Sequence, residues 1–310
     1  MRAPTPLQMD DYIQIFDTCF VFMGTELAYL HQQKSTQTLQ IDIERKRIHR
    51  KTLIENIHIQ IPSGEFVLVL DGSGAGKTTF MNAVLGTRKA KGKILLNGLD
   101  LYAHFHEMKQ KIGYVPQFSL VRENETVENA LIEAAKLKLP PDITEEALTK
   151  RVNEVLAMLA LESHRNKLFS NLSGGQKKRV SVAMEAVSDP SLFFLDEPDS
   201  GLDGGNGRNL MEILHGIALQ DKIVMTITYA PNNAQDLFTK VIVLAKSEKD
   251  GIGRLAFYGT VNEVLEFFEV ETLQEIILRI NPVDEGGEAR ADEYIMRYEL
   301  WKKGKEEHYA

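Results

Sequence analysis

The rhythm of apolar and polar residues changes several times along this chain, and each change predicts an element. "LQIDIE" (39–44) and "IENIHIQI" (54–61) alternate with period two, as strands with one buried face do. "PSGE" then makes a turn, and "FVLVL" (66–70) is an unbroken apolar run that suits a strand covered on both faces. Gly76 to Leu85 reads as a helix and "KILLN" as another strand. From 118 to 171 the period lengthens. "TVENALIEAAKLKL" and "TEEALTKRVNEVLAMLAL" carry apolar residues at helical spacing, such as Val152, Val155, Leu156 and Leu159. They predict a helical subdomain (about 118–188) inserted between strands, its apolar stripes serving as core. "LFFLD", a helix near 206–219, "KIVMTIT" and "VIVLA" follow. Strands alternating with helices predict a mostly parallel sheet with helices on its faces. After 260 come helical "VNEVLEFF" and "LQEIILRI", a hinge-like "NPVDEGGE" and a last helix near 289–303.

Residues 1–38 fit none of these rhythms. "DYIQIFDTCFVFMGTELAYL" is mixed in period and "HQQKSTQT" reads as a polar linker, so the stretch is expected to be an appendage, partly helical. The sequence thus divides into an appendage (1–38), a body of alternating strands and helices (39–265) and a C-terminal helical extension (266–310).

Composition narrows the function classes. The 310 residues are 43% hydrophobic and 26% charged, ordinary for a globular protein. A net charge of −8 argues against nucleic acid as a partner, since a broad basic face is missing. The lone Cys19 allows no internal disulfide. No apolar run reaches the length of about 18 that a bilayer span needs; the nearest, "CFVFMGTELAYL", is short and carries Glu26. A membrane function would take its span from elsewhere.

The chemistry concentrates in three stretches. "DGSGAGKTT" follows the apolar strand and opens a helix. Small residues there let successive backbone N–H groups face phosphate oxygens, with a helix N-terminus behind them. Gly72, Ser73, Gly74, Ala75 and Gly76 form that cradle, Lys77 brings the charge, and Thr78 and Thr79 follow, Thr78 with the hydroxyl for Mg²⁺. "LFFLDEP" runs a buried strand into Asp196, a carboxylate for Mg²⁺, and Glu197, placed to polarise an attacking water. "NLSGGQKKR" lies 23 residues before Asp196, counted from Ser173, and opens a second anion-ready helix at Ser173, Gly174 and Gly175.

These three, with "YVPQ" at Gln117 and "SGLD" from Ser200 to Asp203, closely resemble the ordered motifs of ABC-type ATPases over about residues 39–265. The wording of "IGYVPQ", "ENETVENALIEAAKLKLPP" and "LSGGQKKRVSVAMEAVSDPSLFFLDEP" is similar to subfamily G and to bacterial relatives with ABC-2-type membrane domains. The resemblance implies a P-loop NTPase cassette of α/β class, with a mostly parallel core sheet, an antiparallel β part and a helical signature subdomain. It implies ATP and Mg²⁺ as ligands, with Thr78, Gln117 and Asp196 at the metal. It also implies a homo- or heterodimer in which Ser173, Gly174, Gly175 and Asp203 of one cassette close over the nucleotide of the other. An ABC-2-type membrane partner would hold the cassette at the cytoplasmic face of the membrane, and the closing segment "ADEYIMRYELWKK" is similar to the family's connecting helix. Its Tyr294, Tyr298 and Trp301 share one helical face, followed by Lys302, Lys303 and Lys305, a pairing that suits either a membrane interface or packing on the chain's own domain.

Three positions depart from that pattern. Asp71 stands where the loop has its first glycine, a position associated with positive φ; an outward or capping side chain is expected there. Tyr229 follows Thr228 where the family has a switch histidine; tyrosine keeps an O–H donor but stays neutral. The aromatic adenine contact falls near Ile48 or His49. The expected activity is ATP hydrolysis that drives export, at a slow rate set by Tyr229 and Asp71. The alternative is an impaired ATP-binding regulatory subunit. A DNA-repair or translation ATPase fits poorly, because 96 residues from Lys77 to Ser173 leave no room for a long coiled coil and only one cassette is present.

Overall fold

The computed structural model describes residues 12–15, 18–22, 27–29, 37–117 and 121–308. The chain forms two compact units, residues 1–36 and 37–310. In the first, β1 (Tyr12–Ile15), β2 (Thr18–Phe22) and β3 (Leu27–Tyr29) pair antiparallel in that order. The expected helical character is corrected: "YIQI" and "TCFVF" are rich in β-branched and aromatic residues, which fit a pleated surface. The "HQQKST" part of the linker lies outside the described residues.

The second unit is built on a ten-stranded sheet. In chain order, β4 (Thr38–Ile48), β5 (Lys51–Pro62) and β6 (Phe66–Asp71) lead into α1 (Lys77–Val84). Then come β7 (Lys91–Leu96), β8 (Leu99–Asp100), the short α2 (Phe105–Met108) and β9 (Ile112–Val115). The helices α3 (Val127–Lys138), α4 (Glu145–Met158) and α5 (Gly174–Ala186) follow without an intervening strand. The chain returns through β10 (Leu192–Asp196), α6 (Gly204–Ala218), β11 (Ile223–Ile227), β12 (Lys240–Lys246) and β13 (Gly253–Gly259). It closes with α7 (Val261–Phe268), α8 (Leu273–Ile280) and α9 (Ala291–His308).

The strand order β8-β7-β4-β5-β13-β12-β6-β11-β10-β9 has two regions. From β12 to β9 every neighbour is parallel, and β6, β10 and β11 are buried along nearly their whole length. That burial is why they read as continuous apolar runs. β8, β7, β4 and β5 pair antiparallel, with one face solvated, which produces the alternation in "LQIDIE" and "IENIHIQI". Helices α3 to α7 start on side-chain caps from Thr126, Thr144, Ser173, Asp203 and Thr260, each accepting a backbone N–H three residues on.

The aromatic face of α9 packs inward, the second of the two readings of that face. Tyr294 and Tyr298 are buried, and Trp301 is half-buried. Tyr294 lies 4.3 Å from Phe268 between ring centroids, and Trp301 lies 5.4 Å from Phe257. The physical reason is that β13 and α7 expose Phe257, Phe267 and Phe268 as an apolar bed, which α9 covers. Met296 and Leu300 point outward instead. Tyr294→Ala is therefore expected to cost about 3–5 kcal/mol, the range for truncating a buried large aromatic. Denaturant unfolding would check it, and a loss below about 1 kcal/mol would contradict this packing.

Candidate functional site

Four parallel strands deliver the predicted residues to one edge. β6 ends at Asp71 and runs into the glycine-rich loop; its neighbour β11 ends at Ile227, before Thr228 and Tyr229. β10 ends at Asp196, and β9 ends two residues before Gln117. The carboxyl ends of parallel strands are where such folds bind ligands. A cavity of about 710 Å³ opens there, lined by Ser73, Gly74, Gly76, Lys77, Thr78 and Thr79 from the loop and by Thr228 and Tyr229 opposite. Gly74 and Gly76 have φ of 66° and 99°, and a Cβ on Gly76 would come within 2.4 Å of Ile54. Only glycine closes the loop there.

Asp71 departs from expectation. It is the last residue of β6, outside the positive-φ set, so no left-handed backbone is asked of it. Its side chain turns inward and lies 3.0 Å from the Lys77 ammonium. Burial pushes its carboxyl above the usual range, while the Lys77 ammonium and the Lys77 backbone N–H oppose that rise. An outward side chain would have left Lys77 without this partner in a half-buried cavity, so the ion pair wins. The carboxylate thus engages the ammonium that a phosphate would use.

Glu197 is almost fully buried, 6% exposed, on a left-handed backbone with φ of 51°. Such a conformation is costly for a residue with a Cβ and clusters at functional sites. Gln117 Nε2 donates to Glu197 Oε2 at 2.6 Å, which leaves the side-chain oxygen Oε1 of Gln117 for another partner. Tyr229 is 68% exposed, and its ring lies 5.2 Å from the Lys77 ammonium. The neighbouring Glu197 carboxylate raises the phenol's pKa. Burial, and then the neighbouring Glu197 charge, raise the Asp196 carboxyl; Lys77 and Lys178 pull it down. Thr228 Oγ1 donates to Asp199 Oδ2 at 2.5 Å, tying β11 to the segment after β10.

Lys178, one turn into α5, was not singled out by the sequence. Its ammonium donates to the Gln117 carbonyl and, at 3.4 Å, to the Glu197 carbonyl, so it ties the "SGGQ" helix to both segments. Burial lowers its pKa, against attraction from Asp199, Glu197 and Asp196. Nothing in "QKKR" distinguishes it from the two basic residues beside it.

Ser173, Gly174, Gly175 and Asp203 stand apart from this cavity. Ser173 caps α5 in a reciprocal box with Gln176, and Asp203 caps α6 through Asn206 at 2.9 Å. The two helix starts meet: a Cβ on Gly174 would lie 3.3 Å from Leu202, and one on Gly175 would lie 3.4 Å from Asn206. Neither start lines the phosphate cavity. Of the two adenine candidates, Ile48 lines a small hollow with Thr78 and Thr79, whereas His49 sits in the hairpin turn at φ of 53° and lines neither cavity. Residues 118–120, which follow Gln117, lie outside the described residues.

The site's likeness to known proteins is consistent with this geometry. A family model described as "ABC transporter" matches residues 54–200. The ABC transporter ATP-binding/permease protein Rv1747 of Mycobacterium tuberculosis is 36% identical over 215 residues, 69% of this chain and 24% of that protein. ABC transporter G family member 26 of Arabidopsis thaliana is 32% identical over 243 residues, 76% of this chain and 34% of that protein. Protein white of Drosophila melanogaster is 33% identical over 233 residues, 71% of this chain and 33% of that protein. The chain therefore spans about a quarter to a third of the length of these relatives. Among solved structures, cbiO1 from Clostridium perfringens, part of the ABC transporter complex cbiONQ, matches with a TM-score of 0.65 at 26% identity, covering 74% of this chain and 91% of its own. An ATP-binding cassette of an ABC transporter in its ADP conformation matches with a TM-score of 0.64 at 19% identity, over 76% of this chain and 97% of its own, and shows the fold.

Proposed function

This chain carries the ATP-binding cassette of the ABC transporter family, and on that premise we propose that it binds Mg·ATP and hydrolyses it to drive movement of a substrate, outward, through ABC-2-type membrane domains. The observation that carries the reading is the convergence of loop, Asp196, Glu197 and Gln117 on the ends of neighbouring parallel strands. Lys77 and the loop amides bind the phosphates. Thr78, Gln117 and Asp196 would hold Mg²⁺; all three offer hard oxygen donors, the set this ion prefers. The ion would neutralise charge on the phosphates. Glu197, held by Gln117, orients and polarises the attacking water.

A second cassette, identical or paralogous, completes the site. What supports this is that Ser173, Gly174, Gly175 and Asp203 lie outside the cavity of their own chain, where they are available to another copy. Attachment to a membrane partner would place the chain at the cytoplasmic face. Among the described residues no helix is long and apolar enough to cross a membrane. Calorimetric titration with Mg·ATP and phosphate-release assays test the reading, and a chain that binds no Mg·ATP would overturn it.

A second reading, a slow or regulatory ATP-binding subunit, is favoured by Asp71 and Tyr229. The Asp71 carboxylate already engages Lys77, so nucleotide must displace it or bind beside a like charge. Asp71→Gly is expected to tighten Mg·ATP binding about tenfold, the worth of one competing charged contact. Tyr229→His is expected to raise turnover roughly tenfold to a hundredfold by supplying a charged donor. Calorimetry and steady-state rates on both variants and the double variant separate the effects, and a flat response across all three would rule out both residues as the limit.

A further inference from the structure

The phosphate loop touches a residue far along the chain. Ser73 N–H donates to Asn281 Oδ1 at 2.9 Å. Because a backbone N–H can only donate, the Asn281 amide must present its oxygen. Asn281 follows α8, well beyond the motifs of the cassette, yet it lines the same cavity as Lys77 and Thr78, together with Ile277 from α8. The contact is close-packed. A Cβ on Gly72 would lie 3.2 Å from Asn281 Oδ1 and 3.3 Å from Ile280.

The backbone of Asn281 is fixed on both sides. Its N–H donates to Ile277 O at 2.9 Å, and its carbonyl accepts from Ala289 N–H at 2.8 Å. Gly287 N–H donates to Pro282 O at 2.9 Å, and a Cβ on Gly287 would fall 2.1 Å from the Asn281 carbonyl oxygen. The glycine at 287 is therefore required for the turn to close on Asn281. Ile280 beside it is buried, so the side chain is held from below as well. The loop's opening turn gains from this. Gly72 N–H goes to Leu244 O at 3.1 Å, Ser73 N–H goes to Asn281, and Ala75 N–H goes to Gly72 O at 3.0 Å. Strand β12, the C-terminal segment and the loop itself each fix one amide.

We propose that Asn281 is a positioning residue of the nucleotide site. Its side-chain oxygen braces the opening turn of the phosphate loop, so that the cradle is formed before nucleotide arrives and the C-terminal segment is part of the site. The proposal rests on the ATP-binding reading above. A preformed site spares the ordering cost that a loose loop incurs on binding.

The test pairs binding with hydrogen exchange. In Asn281→Ala, Mg·ATP and Mg·ADP affinities are both expected to fall about fivefold by calorimetry, the worth of one neutral hydrogen bond. Exchange of the nucleotide-free loop, read by mass spectrometry on a peptide containing Ser73, should speed up. Asn281→Asp keeps an acceptor oxygen, and its loop should exchange as slowly as the parent's. A merely structural role would lower the melting temperature without moving either loop exchange or affinity. Tighter nucleotide binding in Asn281→Ala would mean that the oxygen competes with phosphate, and would overturn the brace; unchanged affinity together with unchanged exchange would also overturn it. Should the parent itself bind no Mg·ATP, the nucleotide reading falls, while the exchange measurement still judges whether Asn281 holds the loop.

Discussion

Lys77→Ala is expected to weaken Mg·ATP binding by about a hundredfold or more, with little change in unfolding free energy. Two effects add. The ammonium lost is the loop's own cation for the phosphates, and hydrogen bonds to charged groups are worth about 1.5–3 kcal/mol each. The second effect is particular to this chain: Asp71 loses the partner that lies 3.0 Å away. Its half-buried carboxylate is then left facing an incoming polyanion with nothing between them. About 3 kcal/mol corresponds to a hundredfold in affinity, and the uncompensated carboxylate adds to it. The double variant Lys77→Ala/Asp71→Gly is expected to recover part of the loss, because it removes the stranded charge. Calorimetry on the parent, the two single variants and the double variant gives the coupling directly. Affinity within threefold of the parent in Lys77→Ala would remove Lys77 from the site.

Much of this arrangement can be read from the sequence because burial writes periodicity. "FVLVL" and "LFFLD" are apolar throughout since β6 and β10 lie inside a parallel sheet, and alternation in β4 and β5 reports their one wet face. The loop was legible since glycine at 74 and 76 is demanded by backbone geometry. What stayed hidden depends on where side chains turn in three dimensions. Asp71 reads as a substitution for glycine, yet it sits on ordinary strand backbone, and its direction is decided by Lys77 and by burial. Tyr294, Tyr298 and Trp301 have the composition of a membrane interface, and only the phenylalanines of β13 and α7 beneath them reveal a core. Asn281 lies 208 residues from Ser73, in a stretch whose glycines and proline suggest nothing more than a hinge. Lys178 sits among three basic residues in a row, and its role rests on two backbone carbonyls that only folding brings within reach.

Glu197→Gln is expected to keep Mg·ATP binding while lowering steady-state phosphate release by about a hundredfold to a thousandfold, within the range for losing a general base. The substitution preserves shape and removes charge, so its effect is chemical. The carboxylate is 6% exposed and held on strained backbone, and its Oε2 accepts from Gln117 Nε2 at 2.6 Å. The Tyr229 phenol, its pKa raised by Glu197, neighbours the same carboxylate. A glutamine offers one oxygen where the carboxylate offered two, and the amide cannot accept a proton from water. Removing this negative charge also relieves the carboxyl of Asp196, which Glu197 raises, so metal-dependent binding is expected to hold or tighten slightly. Slow hydrolysis should then trap two cassettes around nucleotide, visible as an Mg·ATP-dependent dimer by light scattering that the parent shows only briefly. Tyr229→Phe, which leaves the charge and removes one donor, should give a much smaller fall. If Glu197→Gln released phosphate at the parent rate, the water would have to be polarised by another group, with Asp199, raised by burial and bonded to Thr228, the next carboxylate to remove.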